Sequence, residues 1–237
     1  MKKIIGVFLF GLSNLVSAED GVLTLNSICV GFGCVPGDSS GFPITINNPG
    51  SYKLTSNLVS NSTSSHVIDI LSDNVTLDLN GFSIIGPRTC TGARETLSCT
   101  DSGMTARGIQ ANSRKNIVVK NGTVSGFSTG VRLEGTSQLT SAVYNIQATQ
   151  NSVGIVVYSV GSIISDSIAN RNLVAGFDTS VYNVFIKDSS AYGNMGDSVN
   201  GNFSTCSNVF FVFNGDNNSC GRYRNESTCG SGAGTCP

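Results

Sequence analysis

A glycine followed by a bulky apolar residue recurs through the middle of the chain at a nearly constant interval. The spacings are 22, 24 and 22 residues, and the pairs are Gly108-Ile109, Gly130-Val131, Gly154-Ile155 and Gly176-Phe177. Short β-prone runs follow each glycine, without a helical period. Such a repeat predicts a β-solenoid, because each coil can bury its apolar face only against neighbouring coils. The leucine framework of a leucine-rich repeat is missing.

Charge is sparse along the chain. Only 12% of the 237 residues are charged, and the formal net charge is −1. We therefore expect no nucleic-acid partner, because such proteins carry clustered Lys and Arg. A hydrophobic content of 39% is enough for a core and argues against disorder. The composition favours an all-β protein rich in turns.

Stacked coils place alternate residues inside and outside the solenoid. Counting from the repeat glycines, we expect a set of inward residues in four successive coils, namely Ile109, Ala111, Val131, Leu133, Ile155, Val157, Phe177 and Thr179. The residues between them then line one outer face of the solenoid.

Two polar columns share the repeat period. The first contains Asn151, Asn172 and Asn194, and we interpret it as a structural ladder of stacked amides in a turn. The second contains Asn121, Asn145, Asp166 and Asp188, which are residue types common in turns. An alternative for the second column is that Asp166 and Asp188 share a Ca²⁺ ion, which makes Ca²⁺ the candidate cofactor.

Three further segments extend the pattern towards the N-terminus: residues 49–54, 75–81 and 82–87 (PGSYKL, VTLDLNG and FSIIGP). With the turn asparagines and the coil length, they resemble right-handed parallel β-helix proteins of the pectate-lyase-like superfamily. The resemblance covers roughly residues 42–215 and implies a right-handed parallel β-helix, a single-stranded β-solenoid, of about six or seven coils. The superfamily includes polysaccharide lyases, hydrolases, surface adhesins and many exported proteins without an assigned function, so the resemblance leaves the activity open.

We expect five segments along the chain. Residues 1–18 are a signal peptide, and residues 19–41 are an N-terminal cap. The β-helix occupies residues 42–215 and carries an insertion at 88–105, and residues 216–237 form a cysteine-rich C-terminal cap. The insertion holds Arg88, Arg94, Glu95 and Asp101. A charged loop in a charge-poor chain is a candidate contact site, and a solvated loop closed by a disulfide is the alternative.

The beginning of the chain has the three parts of a secretory signal. Lys2 and Lys3 precede a mostly apolar run at residues 4–16, and Ala18 ends a compact cleavage site. We expect cleavage after Ala18 and no membrane span in the mature chain, since spanning takes about 20 apolar residues. The predicted location is the periplasm, the cell surface or the medium of a bacterium.

Eight cysteines, an even number, remain after the predicted cleavage. In an exported chain they indicate disulfides. Close couples favour local loops that join Cys29 with Cys34, Cys90 with Cys99, Cys206 with Cys220, and Cys229 with Cys236. A metal site is not expected, because no Cys-x-x-Cys is present and His66 is the one histidine in the sequence.

Four outward positions carry the chemistry most suited to binding. Arg132 suits a carboxylate or sulfate group, and Tyr158 suits a sugar ring. Glu134 and Asp178 are candidate catalytic residues, since two coils place them about 9–10 Å apart by strand spacing. Inverting glycosidases hold their carboxylates about 6.5–9.5 Å apart. The Arg-Ile-Lys and Gly-His-Gly motifs of the family's hydrolases are missing, and we interpret His66 as a strand-edge residue.

The sequence thus predicts an exported, non-catalytic protein that binds carbohydrate or another cell-envelope component along a solenoid face. One alternative is a polysaccharide lyase or glycoside hydrolase that acts on an acidic polysaccharide. A second alternative is a structural or adhesive surface module that self-associates through its ends.

Overall fold

The computed structural model describes most of the chain. The residues described are 21–92, 96–100, 103–135, 140–206, 209–212, 221–224 and 230–232. For residues 181–183 and from 197 onward, only the backbone is described. The predicted signal peptide at 1–18 lies outside these residues.

Almost all of the regular secondary structure in the described chain is β-strand, and a 3₁₀ turn lies at Cys29–Gly31. The strands are β1 (Val22–Leu25), β2 (Ile44–Ile46), β3 (Gly50–Leu54), β4 (Leu58–Val59), β5 (Ile68–Ile70), β6 (Val75–Asp78), β7 (Ser83–Ile85), β8 (Cys90–Thr91), β9 (Ser98–Cys99), β10 (Arg107–Asn112), β11 (Ile117–Ser125), β12 (Thr129–Glu134), β13 (Ser141–Thr149), β14 (Val153–Tyr158), β15 (Ile163–Ser165), β16 (Ile168–Asn170), β17 (Ala175–Lys187), β18 (Ser190–Tyr192), β19 (Asp197–Cys206), β20 (Val209–Val212), β21 (Gly221–Arg224) and β22 (Gly230–Gly232).

Parallel pairing stacks most of these strands into three sheets, which form the sides of a parallel β-solenoid of about six turns. The first sheet has the order β2-β5-β10-β12-β14-β17-β19. The second has the order β1-β3-β6-β11-β13-β15-β17-β19. The third has the order β4-β7-β11-β13-β16-β18-β20. The predicted fold class, an all-β parallel solenoid, is confirmed.

The core follows the alternation of each strand. All eight predicted inward residues, from Ile109 to Thr179, are at most 1% exposed. Most of their outward neighbours are partly or fully exposed. The exceptions are Val156, which is 1% exposed, and Gln110, which is 7% exposed. Val156 lies between Arg132 and Asp178 in the register, and its burial shows that neighbouring outer side chains cover it.

Residues with a left-handed backbone conformation lie at the corner between the second sheet and the third. Asn80, Asn121, Asn145, Asp166 and Asp188 all have φ between 46° and 61°. Asn and Asp tolerate this conformation better than other non-glycine residues. The second polar column therefore consists of turn residues, and it bends β11 and β13 from one sheet into the next.

The repeat glycines allow neighbouring coils to approach closely. A Cβ added to Gly154 would lie 2.6 Å from the carbonyl oxygen of Gly176 and 3.0 Å from Nδ2 of Asn172. Gly130 has the same relation to Gly154 and Asn151. No side chain fits between the coils at this position, which accounts for the period seen in the sequence.

The first polar column is a buried amide ladder. Asn151, Asn172 and Asn194 are each at most 1% exposed. The backbone N–H groups of Phe127, Asn151 and Asn172 donate to the Oδ1 atoms of Asn151, Asn172 and Asn194, at 2.9–3.0 Å. The three Nδ2 groups donate to the carbonyl oxygens of Val124, Ala148 and Ala169, at 3.1–3.2 Å. The structural interpretation of this column is confirmed.

Antiparallel pairing occurs at the C-terminal end of the solenoid and in the insertion. β21 pairs with β20, and β22 pairs with β19, at the C-terminal end. β8 pairs with β9 in a hairpin inside the predicted insertion. β1, within the predicted N-terminal cap, is itself a strand of the second sheet. No helix among the described residues is long and apolar enough to cross a membrane.

Candidate functional site

Polar side chains form a continuous strip on the outer face of the first sheet. One column of the register contains Asp69, Gln110, Arg132, Val156 and Asp178. The adjacent column contains Asn112, Glu134 and Tyr158, and Ser180 follows Tyr158 in the next coil. We call these residues, together with His66 and Arg107, the polar strip.

Arg132 is the centre of the strip. Its guanidinium group forms an ion pair with the Glu134 carboxylate, two residues along the same strand. The same guanidinium lies 5.3 Å from the centroid of the Tyr158 ring in the next coil. This distance is within the range of a cation–π contact, so Arg132 links two successive coils on the surface.

Tyr158 continues the contacts into the following coil. Its hydroxyl donates to Oδ2 of Asp178 at 2.7 Å and accepts from the Ser180 hydroxyl at 3.3 Å. Partial burial raises the pKa of the Tyr158 phenol, and the Asp178 carboxylate acts in the same direction. The hydrogen bonds with Asp178 and Ser180 hold the Tyr158 hydroxyl in place.

The N-terminal end of the strip surrounds the single histidine. The Arg107 backbone N–H donates to Nδ1 of His66 at 3.1 Å, and the Arg107 guanidinium contacts Oε1 of Gln110. Burial, followed by the charge of Arg107, lowers the pKa of His66. Oδ1 of Asp69 is buried and has no hydrogen-bond partner. His66 thus serves as a neutral acceptor for the backbone.

The sequence analysis assigned no role in a site to Asp69, Gln110 or Arg107. The alternation along the strands could have identified two of them as outward residues of one column. Asp69 and Gln110 follow Ile68 and Ile109 at equivalent positions of their coils. Arg107 precedes a repeat glycine, and the alternation of a strand does not predict that its side chain turns towards Gln110.

The structure places Glu134 and Asp178 on the same face but in different columns. Glu134 is level with Tyr158, whereas Asp178 is level with Val156. Two coils across and two residues along the strands separate their Cα atoms by about 12 Å. The 9–10 Å expected from coil spacing alone is therefore too short. Each carboxylate also has a partner, Arg132 for Glu134 and Tyr158 for Asp178.

The candidate Ca²⁺ residues make local contacts. Oδ2 of Asp166 accepts from the Ser165 hydroxyl at 2.6 Å, and Nζ of Lys187 lies 3.5 Å from Oδ2 of Asp188. In the described part of the chain, no three His, Cys, Asp or Glu residues cluster closely enough to hold a metal ion.

A concavity of about 350 Å³ follows the corner between the second and third sheets. Its lining includes Asn121, Asn145, Gln147, Asp166 and Ile168. These side chains include no aromatic ring and one charged group. The polar strip combines more of the groups that bind sugars.

The insertion packs against the solenoid. Its hairpin is closed by the Cys90–Cys99 disulfide, and Arg171 donates to the carbonyl oxygens of Cys90 and Gly92 at 3.3 and 3.1 Å. Arg88 is only 4% exposed and donates to the carbonyl oxygen of Phe127 at 3.2 Å. Arg88 is therefore a structural residue and not part of an exposed charged loop. Arg94, Glu95 and Asp101 lie outside the described residues.

Two of the four predicted disulfides fall within the described side chains, and both are confirmed. Cys29 bonds to Cys34, and Cys90 bonds to Cys99. Cys206 belongs to β19, but its side chain is not among those described. Cys220, Cys229 and Cys236 lie outside the described residues.

Comparison with known proteins adds no assignment. No family model, no curated protein and no solved structure matches this chain. The residues of the polar strip therefore provide the evidence about function.

Proposed function

We propose that this chain is an exported, non-catalytic β-solenoid protein that binds carbohydrate, or another cell-envelope component, along the polar strip. The observation that carries the proposal is the arrangement of Arg132, Tyr158 and Asp178 across three successive coils. A partly exposed aromatic ring beside charged donors and acceptors matches the mixed apolar and polar faces of a sugar. Because these side chains are already held by each other, binding loses less conformational entropy.

The arrangement of the Glu134 and Asp178 carboxylates favours non-catalytic binding over hydrolysis. Glu134 and Asp178 lie in different columns of the register, and each carboxylate is engaged by a neighbouring side chain.

The disulfides support the proposal that this protein is exported. The Cys29–Cys34 and Cys90–Cys99 disulfides are typical of oxidising compartments outside the cytosol. Membership of the pectate-lyase-like superfamily and right-handed coiling belong to the same proposal. They are supported by the coil length and by the asparagine ladder.

The test is binding of the folded protein to a panel of neutral and acidic hexasaccharides by isothermal titration calorimetry. We expect one or more to bind, and Tyr158→Ala to weaken that binding at least tenfold. The matched control is Tyr144→Ala, since Tyr144 is also partly exposed but points outward from the second sheet. Equal losses in both variants would refute the assignment of the strip.

Size-exclusion chromatography of polysaccharides after incubation, with and without Ca²⁺, tests catalysis. Shortened chains would overturn the non-catalytic proposal, and Glu134→Gln and Asp178→Asn would then identify the acid and base. A self-assembling structural module would be favoured instead if no hexasaccharide binds and the protein forms larger assemblies as its concentration rises.

A further inference from the structure

Both guanidinium groups of the polar strip already have a side-chain partner within the protein. Glu134 neutralises Arg132, and Gln110 holds the guanidinium group of Arg107. Asp69, Glu134 and Asp178 face only two guanidinium groups, so the strip has a net formal charge of −1.

We propose that the ligand of the strip is an uncharged polysaccharide rather than a polymer of uronic acids. This inference rests on the proposed function and narrows it. An acidic sugar would need a guanidinium group as its counter-ion, but Arg132 already pairs with Glu134 and Arg107 already contacts Gln110. It would also approach two carboxylates that flank Tyr158, where like charges repel each other.

A neutral sugar meets no such conflict. Each sugar hydroxyl both donates and accepts, so it can donate to Glu134 or Asp178 while their existing contacts remain. The Tyr158 ring, held between Arg132 and Asp178, offers an apolar surface to the C–H face of a pyranose ring. The strip crosses coils about 4.8 Å apart, a spacing similar to the size of one sugar unit.

The experiment uses hexasaccharides in pairs that share a backbone and differ in charge. The pairs are cellohexaose with its C6-oxidised form, mannohexaose with hexamannuronate, and methyl-esterified with free hexagalacturonate. We expect a neutral member to bind at least tenfold more tightly than its acidic partner. Its affinity should change less than twofold between low and physiological salt, because an uncharged ligand is not screened.

Glu134→Gln gives a sharper test, because the amide keeps an acceptor for Arg132 but removes the competing charge. We expect the affinity for acidic hexasaccharides to rise roughly tenfold, as for a new hydrogen bond to a charged group. Affinity for the neutral member should not rise, because the amide accepts less strongly from a sugar hydroxyl than the carboxylate does. The control is Asp188→Asn, which changes the net charge equally, beside Lys187 and away from the strip.

The outcomes separate the two proposals. Tighter binding of an acidic member by the unaltered protein would overturn the neutral ligand and leave carbohydrate binding intact. An unchanged ratio of acidic to neutral affinity in Glu134→Gln would also overturn the inference, as would equal gains in Asp188→Asn. Absence of binding to every hexasaccharide would overturn the proposed function and this inference together.

Discussion

The side chain of Asn172 makes four hydrogen bonds inside the amide ladder. Its Oδ1 accepts from the backbone N–H of Asn151 at 3.0 Å and from Nδ2 of Asn151 at 3.3 Å. Its Nδ2 donates to the carbonyl oxygen of Ala148 at 3.2 Å and to Oδ1 of Asn194 at 3.0 Å. The side chain is fully buried, so water cannot replace these partners.

Asn172→Ala therefore leaves two buried backbone groups, the Asn151 N–H and the Ala148 carbonyl, without these partners. A buried group left unsatisfied costs roughly 1–3 kcal/mol. The expected loss is about 4 kcal/mol, a large part of the 5–15 kcal/mol typical of folded domains. We expect this loss in urea unfolding followed by circular dichroism. Asn112→Ala, at an exposed position of β10, should change stability by less than about 0.5 kcal/mol.

Asn172→Asp separates the ladder from simple loss of packing. The substitution keeps one acceptor but turns an oxygen towards the Ala148 carbonyl and Oδ1 of Asn194. Burial beside acceptors raises the pKa of the new carboxyl above its unfolded value of about 3.9. The folded state then binds more protons, so the variant should lose stability as pH rises above about 4. Equal free energies of unfolding for Asn172→Ala and Asn112→Ala would contradict a stabilising role of the ladder. The same conclusion would follow if the stability of Asn172→Asp changed with pH as that of the unaltered protein does.

Two further predictions concern the single histidine and a repeat glycine. The pKa of His66 is lowered in the folded state, so the unfolded state binds more protons below its pKa of about 6.5. Stability should fall between pH 8 and pH 5, and His66→Gln should flatten that slope in urea unfolding. Gly154→Ala forces a Cβ to within 2.6 Å of a carbonyl oxygen, which should cost about 1–3 kcal/mol and lower the Tm. Gly31→Ala, with no atom within 4 Å of the added Cβ, should leave the Tm unchanged, and a similar decrease in both variants would contradict the steric argument.

Much of the solenoid could be predicted because its signals are local and repeated. The alternation after each repeat glycine identified Ile155 and Val157 as core residues, and both are fully buried. The Asn151–Asn172–Asn194 column was recognisable because residues one coil apart are neighbours in space. Periodicity also placed Arg132 and Tyr158 on one face, as the register shows.

The parts that could not be predicted depend on contacts across coils. Strand spacing alone underestimated the separation of Glu134 and Asp178, because the distance along the strands also contributes. Val156 alternates outward but is buried, since its environment depends on larger neighbours in other coils. Arg88 looked like part of a charged loop, and only the docked hairpin shows that its guanidinium satisfies the Phe127 carbonyl.

By itself, the sequence determined the class of fold, the coil length and the inward residues, because these follow from the order of apolar and small residues within one repeat. Tertiary structure decided the chemistry of the polar strip. Arg132 pairs with Glu134 and lies against Tyr158, and Tyr158 donates to Asp178. Two of these contacts join neighbouring coils, 20 and 26 residues apart in the sequence, and the local pattern along a strand carries no information about them.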